Sequence, residues 1–389
     1  MFRRNGVLGP TLPVAGDDIA RAQTTPVTLR LPAPTGQHQL GVTTLHLVDE
    51  SRRDPWNGTV RELMTTVFYP AADVADYPVA PQLTHAAAAV FSTLDAVHLH
   101  PELPDSGVNW TATQTHSHTG APALPGRRPV LLYSPGGADP RTIGTGVAEE
   151  LASHGYVVVT IDHTGEASEV EFPGGRVRAI DIPGDPRTDP RLFRTMIDTR
   201  IADTRFVLDE LAKLAAGRNP DADARPLPEN LGQALDLRRV GAYGHSAGGA
   251  TVAEALYEDR RIDAAINMEG YLDYMPEEPD QEGELLPIAK HGVDQPLLLL
   301  GTDGFRDARI ERSWSAMLDH QQGCTRWEQL DNATHWVFTD YSNMAPQLQD
   351  AGLMSAEDRA KLVGAIDPAD SVPAVRNQVL TFFAEHLSR

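Results

Sequence analysis

The stretch Gly244-His245-Ser246-Ala247-Gly248 places a serine between small residues. The residues before it, "RRVGAY", are typical of a buried strand, and those after it, "AGGATVAEALYE", are good helix formers. The order strand, G-x-S-x-G, helix predicts a strained turn that holds the serine hydroxyl above the end of the strand. The N-terminus of the following helix favours negative charge beside that hydroxyl. We therefore predict that Ser246 is a nucleophile, the alternative being a tight turn with an idle serine.

A serine is a weak nucleophile at neutral pH, so it requires a base that is oriented by an acid. Where the serine lies on this kind of turn, the chain order is serine, acid, histidine. His335, in "DNATHWVFTD", follows the last predicted strand, from which a loop can return to Ser246. The other downstream histidines precede a strand or lie in predicted helices: His291, His320 and His386. His335 is therefore the predicted base, the alternative being a hydrogen-bonded loop residue.

Two carboxylates are candidates for the acid. Asp303 follows the predicted strand "PLLLLG", and Glu269 ends the preceding strand, "IDAAINME". The position after the strand modestly favours Asp303, because it is the commonest place for the acid in this kind of fold. Either carboxylate could instead have a structural role, so both remain open at this point.

An oxyanion formed during attack requires two N–H donors. Ala247, the residue after the serine, is predicted to supply one. Gly137, in "SPGGADP", is predicted to supply the other, because two adjacent glycines let the backbone approach a substrate closely. The alternative is that these glycines only form a turn.

The chain around these residues alternates between strands and helices. Strands are predicted at 42–49, 62–70, 129–135, 156–163, 238–245, 262–269, 296–301 and 324–331. Helices are predicted at 144–155, 191–215, 247–258, 309–318 and 372–387. Continuously apolar strands separated by helices of this length predict an α/β fold, with a mainly parallel central sheet and helices on both faces.

The predicted domain organisation is an N-terminal arm at residues 1–36 and a single domain at 37–389. Within that domain, residues 71–128 are predicted to be an irregular, lid-like insertion apart from a helix near 85–97. Long insertions of this kind are usually functional. We predict that Phe91 and Trp110 wall an apolar acyl pocket, with Tyr271 and Trp336 on the opposite side.

Composition excludes several classes of partner. The formal net charge of −21 argues against nucleic acid and anionic membranes. The single cysteine, Cys324, allows no internal disulfide and no cysteine metal cluster. The histidines of "HLHP" (98–101) and "THSHTG" (115–120) are too few for a metal site by themselves, so neither a metal nor a cofactor is predicted.

The N-terminus, "MFRRNGVLGPTLPVAGDD", is a poor signal peptide because prolines and aspartates break its short apolar part. No stretch approaches the ~20 apolar residues of a membrane span, so no stable membrane insertion is predicted. We predict a cytoplasmic protein, or a secreted one if a native signal peptide is missing from this chain. The oligomeric state is not predicted.

Six stretches together resemble the platelet-activating-factor acetylhydrolase family of α/β-hydrolases, the plasma and type II kind. They are "YSPGGADPRT", "LASHGYVVVTIDH", "RFVLDEL", "GHSAGGATV", "INMEGYL" and "THWVFTDY", and the likeness covers about residues 40–389. The resemblance implies an α/β-hydrolase fold with Ser246 as nucleophile, His335 as base, and Gly137 and Ala247 as oxyanion donors. It also implies Glu269 as the acid, where the family usually has the shorter aspartate.

With Glu269 taken as the acid, the predicted protein is a cofactor-free serine ester hydrolase that works through an acyl-enzyme. The resemblance implies small-molecule esters or lipids with short acyl chains as substrates, short-acyl phospholipids among them. An acyltransferase or a thioesterase on the same three residues is the alternative. A non-catalytic binding module is disfavoured, because every catalytic role has a candidate residue.

Overall fold

The computed structural model of this protein describes residues 25–278, 281–320 and 324–388. Most of the predicted N-terminal arm, residues 1–24, therefore lies outside the described residues. Residues 25–36 have little regular structure, and Leu29 and Leu31 are buried in an apolar cluster that includes the start of the insertion.

The core of the molecule is a sheet of ten strands, accompanied by a separate two-stranded ribbon in the described part of the chain. The sheet strands are β1 Leu40–Arg53, β2 Val60–Pro70, β3 Val79–Pro81, β4 Gln114–Thr119, β5 Arg128–Ser134, β6 Val157–Asp162, β9 Leu235–His245, β10 Ala264–Met268, β11 Leu297–Thr302 and β12 Thr325–Leu330. The ribbon consists of β7 Glu169–Phe172 and β8 Arg176–Ala179.

The sheet order is β12-β11-β10-β9-β5-β6-β2-β1-β4-β3. Every neighbouring pair from β12 to β6 is parallel, whereas β6, β2 and β1 pair in antiparallel fashion. This confirms the predicted mainly parallel sheet. The carboxyl ends of the parallel strands meet at one edge, which is where side chains from separate strands can converge.

Helices cover both faces of the sheet, as predicted. They are α1 His85–Leu94, α2 Thr145–Ser153, α3 Pro190–Ala215, α4 Leu231–Ala234, α5 Ala247–Glu258, α6 Pro287–His291, α7 Ala308–Leu318, α8 Tyr341–Asp350, α9 Ala356–Val363 and α10 Pro368–His386. Alternating side chains of β5 belong to two apolar clusters: Val130 and Leu132 to the one that includes α3, α5 and α7, and Leu131 and Tyr133 to the one that includes α2 and α10.

The insertion at residues 71–128 is more regular than the sequence predicted. It contains α1, near the predicted helix, and it also adds two strands to the sheet. β4 pairs with β1 in parallel, and β3 pairs with β4. The sequence did not predict β4, because its inward side chains are Thr115 and Ser117 rather than apolar residues. A hydrogen bond from the Ser117 hydroxyl to Glu149 (2.6 Å) compensates for the burial of that polar group.

Candidate active site

Ser246 lies on a strained turn between β9 and α5. Its backbone has φ 54° and ψ −122°, a conformation that non-glycine residues rarely adopt. A Cβ atom at Gly244 would lie 2.2 Å from the carbonyl oxygen of Gly248, and one at Gly248 would lie 1.9 Å from that of Ser134. The two glycines of the motif are therefore required by close backbone contacts, and the turn leaves Ser246 partly exposed.

Glu269 and His335 meet beside this turn. Nδ1 of His335 lies 2.7 Å from Oε2 of Glu269. The other carboxylate oxygen of Glu269 accepts hydrogen bonds from the N–H and the hydroxyl of Thr302, both at 2.6 Å. The N–H of Ser246 donates to the carbonyl of Met268 (2.7 Å), which links the turn to the residue before Glu269. With Nδ1 engaged, Nε2 is the imidazole nitrogen left for the serine hydroxyl.

Asp303, the other candidate acid, occupies a different position. It is exposed, and its carboxylate accepts a hydrogen bond from the N–H of Ala333 at 3.1 Å. Asp303 therefore supports the backbone of the loop that carries His335, whereas the imidazole ring itself contacts Glu269.

The His335 ring is held between other rings. Nε2–H of His245 donates to the carbonyl of His335 at 2.8 Å, and the two ring centroids are 4.4 Å apart. On another side Phe305 stacks on the His335 ring, with centroids 4.0 Å apart. Since His245 directly precedes Ser246, these contacts place the imidazole beside the turn.

The two predicted oxyanion donors are neighbours. A Cβ atom at Gly137 would lie 3.8 Å from the Cβ of Ala247. Within the described part of the chain, neither the N–H of Gly137 nor that of Ala247 has a hydrogen-bond acceptor. Ala247 is the first residue of α5, so the helix dipole adds a further preference for negative charge at this point. The arrangement can stabilise a developing oxyanion.

The predicted pocket residues fall into two groups. Tyr271 and Trp336 are partly exposed and lie near His335: Trp336 has its ring centroid 5.2 Å from that of His335, and Tyr271 lies 5.9 Å from Phe305. Phe91 and Trp110 pack edge-to-face at 4.9 Å inside an enclosed cluster against which Trp336 packs. These two are almost fully buried, so their pocket role stays a prediction that depends on Trp336 as an intermediary.

Comparison with known proteins identifies the family. The family model described as platelet-activating factor acetylhydrolase, isoform II, matches residues 194–389, which is half of the chain. The chain belongs to this family. It is 28% identical to a probable 1-alkyl-2-acetylglycerophosphocholine esterase from Arthroderma benhamiae, an alignment that covers 94% of this chain and 90% of the relative.

More distant acetylhydrolases and a solved esterase structure agree with this family. The platelet-activating factor acetylhydrolase of Gallus gallus is 23% identical over 68% of this chain and 63% of its own. A ferulic acid esterase from Streptomyces cinnamoneus has a TM-score of 0.72 at 33% identity and covers 92% of this chain and 93% of its own. This acetylhydrolase-family protein therefore has the predicted α/β-hydrolase fold and is a serine ester hydrolase that acts on ester substrates.

Among the helices in residues 25–278, 281–320 and 324–388, none is both long enough and apolar enough to cross a membrane. A cytoplasmic or secreted location therefore stays a prediction.

Burial shifts the pKa values of His335 and Glu269. Loss of hydration, with a smaller effect from nearby His100, lowers the pKa of His335 to about 4, whereas Asp139 acts in the opposite direction. Burial also raises the pKa of Glu269, and the two Thr302 donors oppose that rise by stabilising the carboxylate. At neutral pH the imidazole is therefore the neutral base that a serine nucleophile requires.

We expect the acid limb of kcat/KM for short-chain esters to have its midpoint below pH 6.5, because burial lowers the pKa of His335. The sign follows from the lowered pKa: the imidazole stays deprotonated until the pH falls through that value, and only the deprotonated form accepts the serine proton. Rates across pH 3.5–8, with circular dichroism at each pH as a check of folding, measure this limb. A midpoint at or above pH 6.5 in folded protein would contradict the expectation.

Arg200, which the sequence analysis missed, supports residues 135–139, the loop that carries the predicted oxyanion donor Gly137 and is called the oxyanion loop below. Its guanidinium is fully buried and donates to the carbonyls of Pro135 (2.6 Å) and Gly136 (2.8 Å), while it also pairs with Glu166. Fixing these carbonyls orients the peptide groups that lead to Gly137. The available signal was a charged residue beside Ile197 and Ile201 on the apolar face of a predicted helix.

A second serine–histidine–aspartate array lies beneath this loop. Ser134 Oγ is 2.8 Å from Nε2 of His163, whose Nδ1 is 3.0 Å from Asp203. All three side chains are at most 1% exposed, and Asp203 is already paired with Arg61. Since no ester can reach Ser134, this array anchors the end of β5 and leaves Ser246 as the accessible candidate nucleophile.

Proposed function

We propose that this serine ester hydrolase forms its acyl-enzyme on Ser246. His335 Nε2 takes the hydroxyl proton as Ser246 attacks the ester carbonyl, and the carbonyl oxygen receives hydrogen bonds from the N–H groups of Gly137 and Ala247. His335 then gives the proton to the departing alcohol. Glu269 fixes the Nδ1–H tautomer of His335 and stabilises the imidazolium that forms. The observation that carries this proposal is the 2.7 Å contact between Glu269 and His335 beside the strained turn at Ser246.

Deacylation repeats these steps with water in place of the alcohol. His335 removes a proton from the water as it attacks the acyl carbonyl, and returns that proton to Ser246 as the acid leaves. The same two N–H groups stabilise the second oxyanion. No cofactor is required by any step of this cycle.

Short acyl groups are the substrate class that we propose, with acetyl esters of glycerophospholipids as the first candidates. The curated relatives are named for such an ester, and the family match covers the proposed acid and base. Phe305 and Trp336 lie against the His335 ring, and Tyr271 lies against Phe305; we call these three residues the aromatic wall. Bulky rings close to the reacting atoms limit the length of the acyl chain.

Aromatic acyl esters are a second candidate class. The aromatic wall offers ring faces on which a planar acyl group can stack. The structural neighbour with 33% identity is named as a ferulic acid esterase. Methyl ferulate and a short-acyl glycerophospholipid therefore belong in the same assay, and the larger kcat/KM selects between the two classes.

Removing the Trp336 side chain tests whether the aromatic wall limits acyl length. We expect Trp336→Ala to raise the octanoyl-to-acetyl ratio of kcat/KM by roughly 10- to 100-fold, a total shift of ~1–3 kcal/mol, because apolar pockets discriminate weakly between acyl chains. The measurement is kcat/KM for acetyl, butyryl and octanoyl p-nitrophenyl esters.

Trp327→Ala is the matched control, because Trp327 packs on Trp314 and Arg306 rather than on His335. Phe91→Ala and Trp110→Ala test the enclosed pair in the same way. A chain-length profile that Trp336→Ala leaves unchanged would remove this wall from the substrate site. If the chain-length profile is unchanged but Ser246→Ala loses its turnover, the proposed specificity is wrong and the proposed mechanism is not.

A further inference from the structure

Asp95, Asp139 and Glu169 are buried carboxylates without an arginine partner in the described part of the chain. Three other buried carboxylates nearby are paired with arginine: Asp162 with Arg141, Glu166 with Arg200, and Asp203 with Arg61. Asp95, Asp139 and Glu169, at 0%, 1% and 2% exposure, have no such cation. Burying ionised carboxylates without a countercharge is strongly unfavourable, so this group is stabilised either by a proton or by a cation.

Asp95, Asp139 and His100 direct their polar atoms at one another. One ligand atom from each lies within 4.8 Å of the other two, and His100 Nε2 is 3.2 Å from Asp139 Oδ1. Oδ2 of Asp139 lacks a hydrogen-bond partner among the described residues, and the neighbours of the Asp95 carboxylate are Ser168 and the second carboxylate of Glu169. Buried carboxylate oxygens beside an imidazole nitrogen form a set of donor atoms that can hold a cation.

The local backbone is shaped to bring two of these residues together. Residues Asp95–Leu99 form a π-helical turn, and the N–H of His100 donates to the carbonyl of Asp95 at 2.7 Å. A π turn places residues five apart on the same side, and such turns are frequent at functional sites. The motif "HLHP" by itself contains too few ligands for a metal site, because the third residue of the group, Asp139, lies 39 residues after His100 in the chain.

We propose that Asp95, His100 and Asp139 bind one divalent transition-metal ion, with Zn²⁺ as the first candidate. One imidazole nitrogen with two carboxylates suits Zn²⁺ or Mn²⁺, whereas Ca²⁺ and Mg²⁺ prefer oxygen ligands alone. Glu169 interacts with Asp95 and also lines a cavity of about 400 Å³ beside the site.

The ion would connect the insertion to the oxyanion loop. Asp95 and His100 belong to residues 71–128, whereas Asp139 lies two residues after Gly137. The His100 ring also packs edge-on against Trp336, with centroids 4.5 Å apart. The site therefore clamps the covering segment onto the backbone that carries a proposed oxyanion donor. This inference concerns binding and stability, so it does not depend on the proposed function.

Metal content and thermal unfolding of the full chain, purified without a histidine tag, test the site directly. After incubation with Zn²⁺ or Mn²⁺ and dialysis, we expect about one ion per chain, and a melting temperature that falls by roughly 3 °C with EDTA and recovers with metal. His100→Gln should reduce the content below about 0.1 ion per chain. His98→Gln, the same change at the exposed histidine of the same motif, should retain the ion.

Wild-type protein that retains no Zn²⁺ or Mn²⁺, and whose melting temperature is unaffected by EDTA or added metal, would overturn the proposal whatever the variants do. Asp95→Asn then identifies the alternative. If Asp95 and Glu169 share a proton instead of facing a metal ion, the neutral asparagine raises the melting temperature above pH 7. In a metal site the same substitution lowers both metal content and melting temperature.

Discussion

Ser246→Ala should lower kcat for short-chain esters by about a millionfold, the scale measured when the nucleophile of a serine protease is removed. The expected loss is this large because every covalent step of the proposed cycle occurs on Ser246 Oγ. Folding should be unaffected, since alanine at φ 54° bears the same backbone strain as serine and the turn is fixed by Gly244 and Gly248. The measurement is kcat for an acetyl ester beside the melting temperature of both proteins.

A fluorophosphonate probe separates this mechanism from a fold retained only for binding. We expect the folded wild type to be labelled at Ser246 alone, and Ser246→Ala to be unlabelled. Ser134, which has its own histidine and aspartate, is the internal control because it is fully buried and out of reach. Labelling that persists in Ser246→Ala, or activity that survives the substitution, would assign the chemistry to another residue.

The sequence was sufficient for the features that local patterns encode. The turn at Ser246 was predictable because its glycines and the flanking strand and helix are adjacent in the chain. The parallel sheet was predictable because continuous apolar runs alternate with helices. His335 could be chosen as the candidate base by elimination, because the other downstream histidines lie in or before predicted helices and strands.

What the sequence could not supply depends on contacts between distant residues. β4 was missed because Thr115 and Ser117 face inward, a choice that is acceptable only when Glu149 is there to accept from Ser117. The hydrogen bond from Thr302 to Glu269 connects the ends of β11 and β10. The hydrogen bond from Arg200 to the carbonyl of Pro135 connects α3 to the oxyanion loop. No spacing rule links such pairs, because the sheet and not the chain makes them neighbours.

The acid position shows the same limit. Position after the strand favoured Asp303, and only the family resemblance favoured Glu269. In the structure Glu269 has φ 58°, so its backbone turns sharply where β10 ends, and its longer side chain still reaches His335. Asp303 lies at the end of the next strand, faces solvent, and contacts the Ala333 N–H.

Glu269→Gln should cost about 10⁴ in kcat, as removal of the orienting acid does in a serine protease. The glutamine oxygen can still accept from Thr302, but its NH₂ group would face Nδ1 of His335 and donate to it. The ring would then carry its proton on Nε2, where the serine requires a free lone pair, so the base would be in the wrong tautomer. Asp303→Asn should cost less than about tenfold, because the asparagine oxygen accepts from Ala333 equally well.

Glu269→Gln and Asp303→Asn form a matched pair, because each changes a carboxylate to its amide. If their melting temperatures agree, the variant with the lower kcat identifies the residue that acts as the acid. Glu269→Asp is the conservative third variant: it keeps the charge but is one methylene shorter than a side chain that now reaches Nδ1 at 2.7 Å. We expect its kcat to lie between those of wild type and Glu269→Gln, because charge is retained while the contact lengthens. A larger loss for Asp303→Asn than for Glu269→Gln would move the acid to the end of β11. It would also make the contact between Glu269 and His335 a structural one.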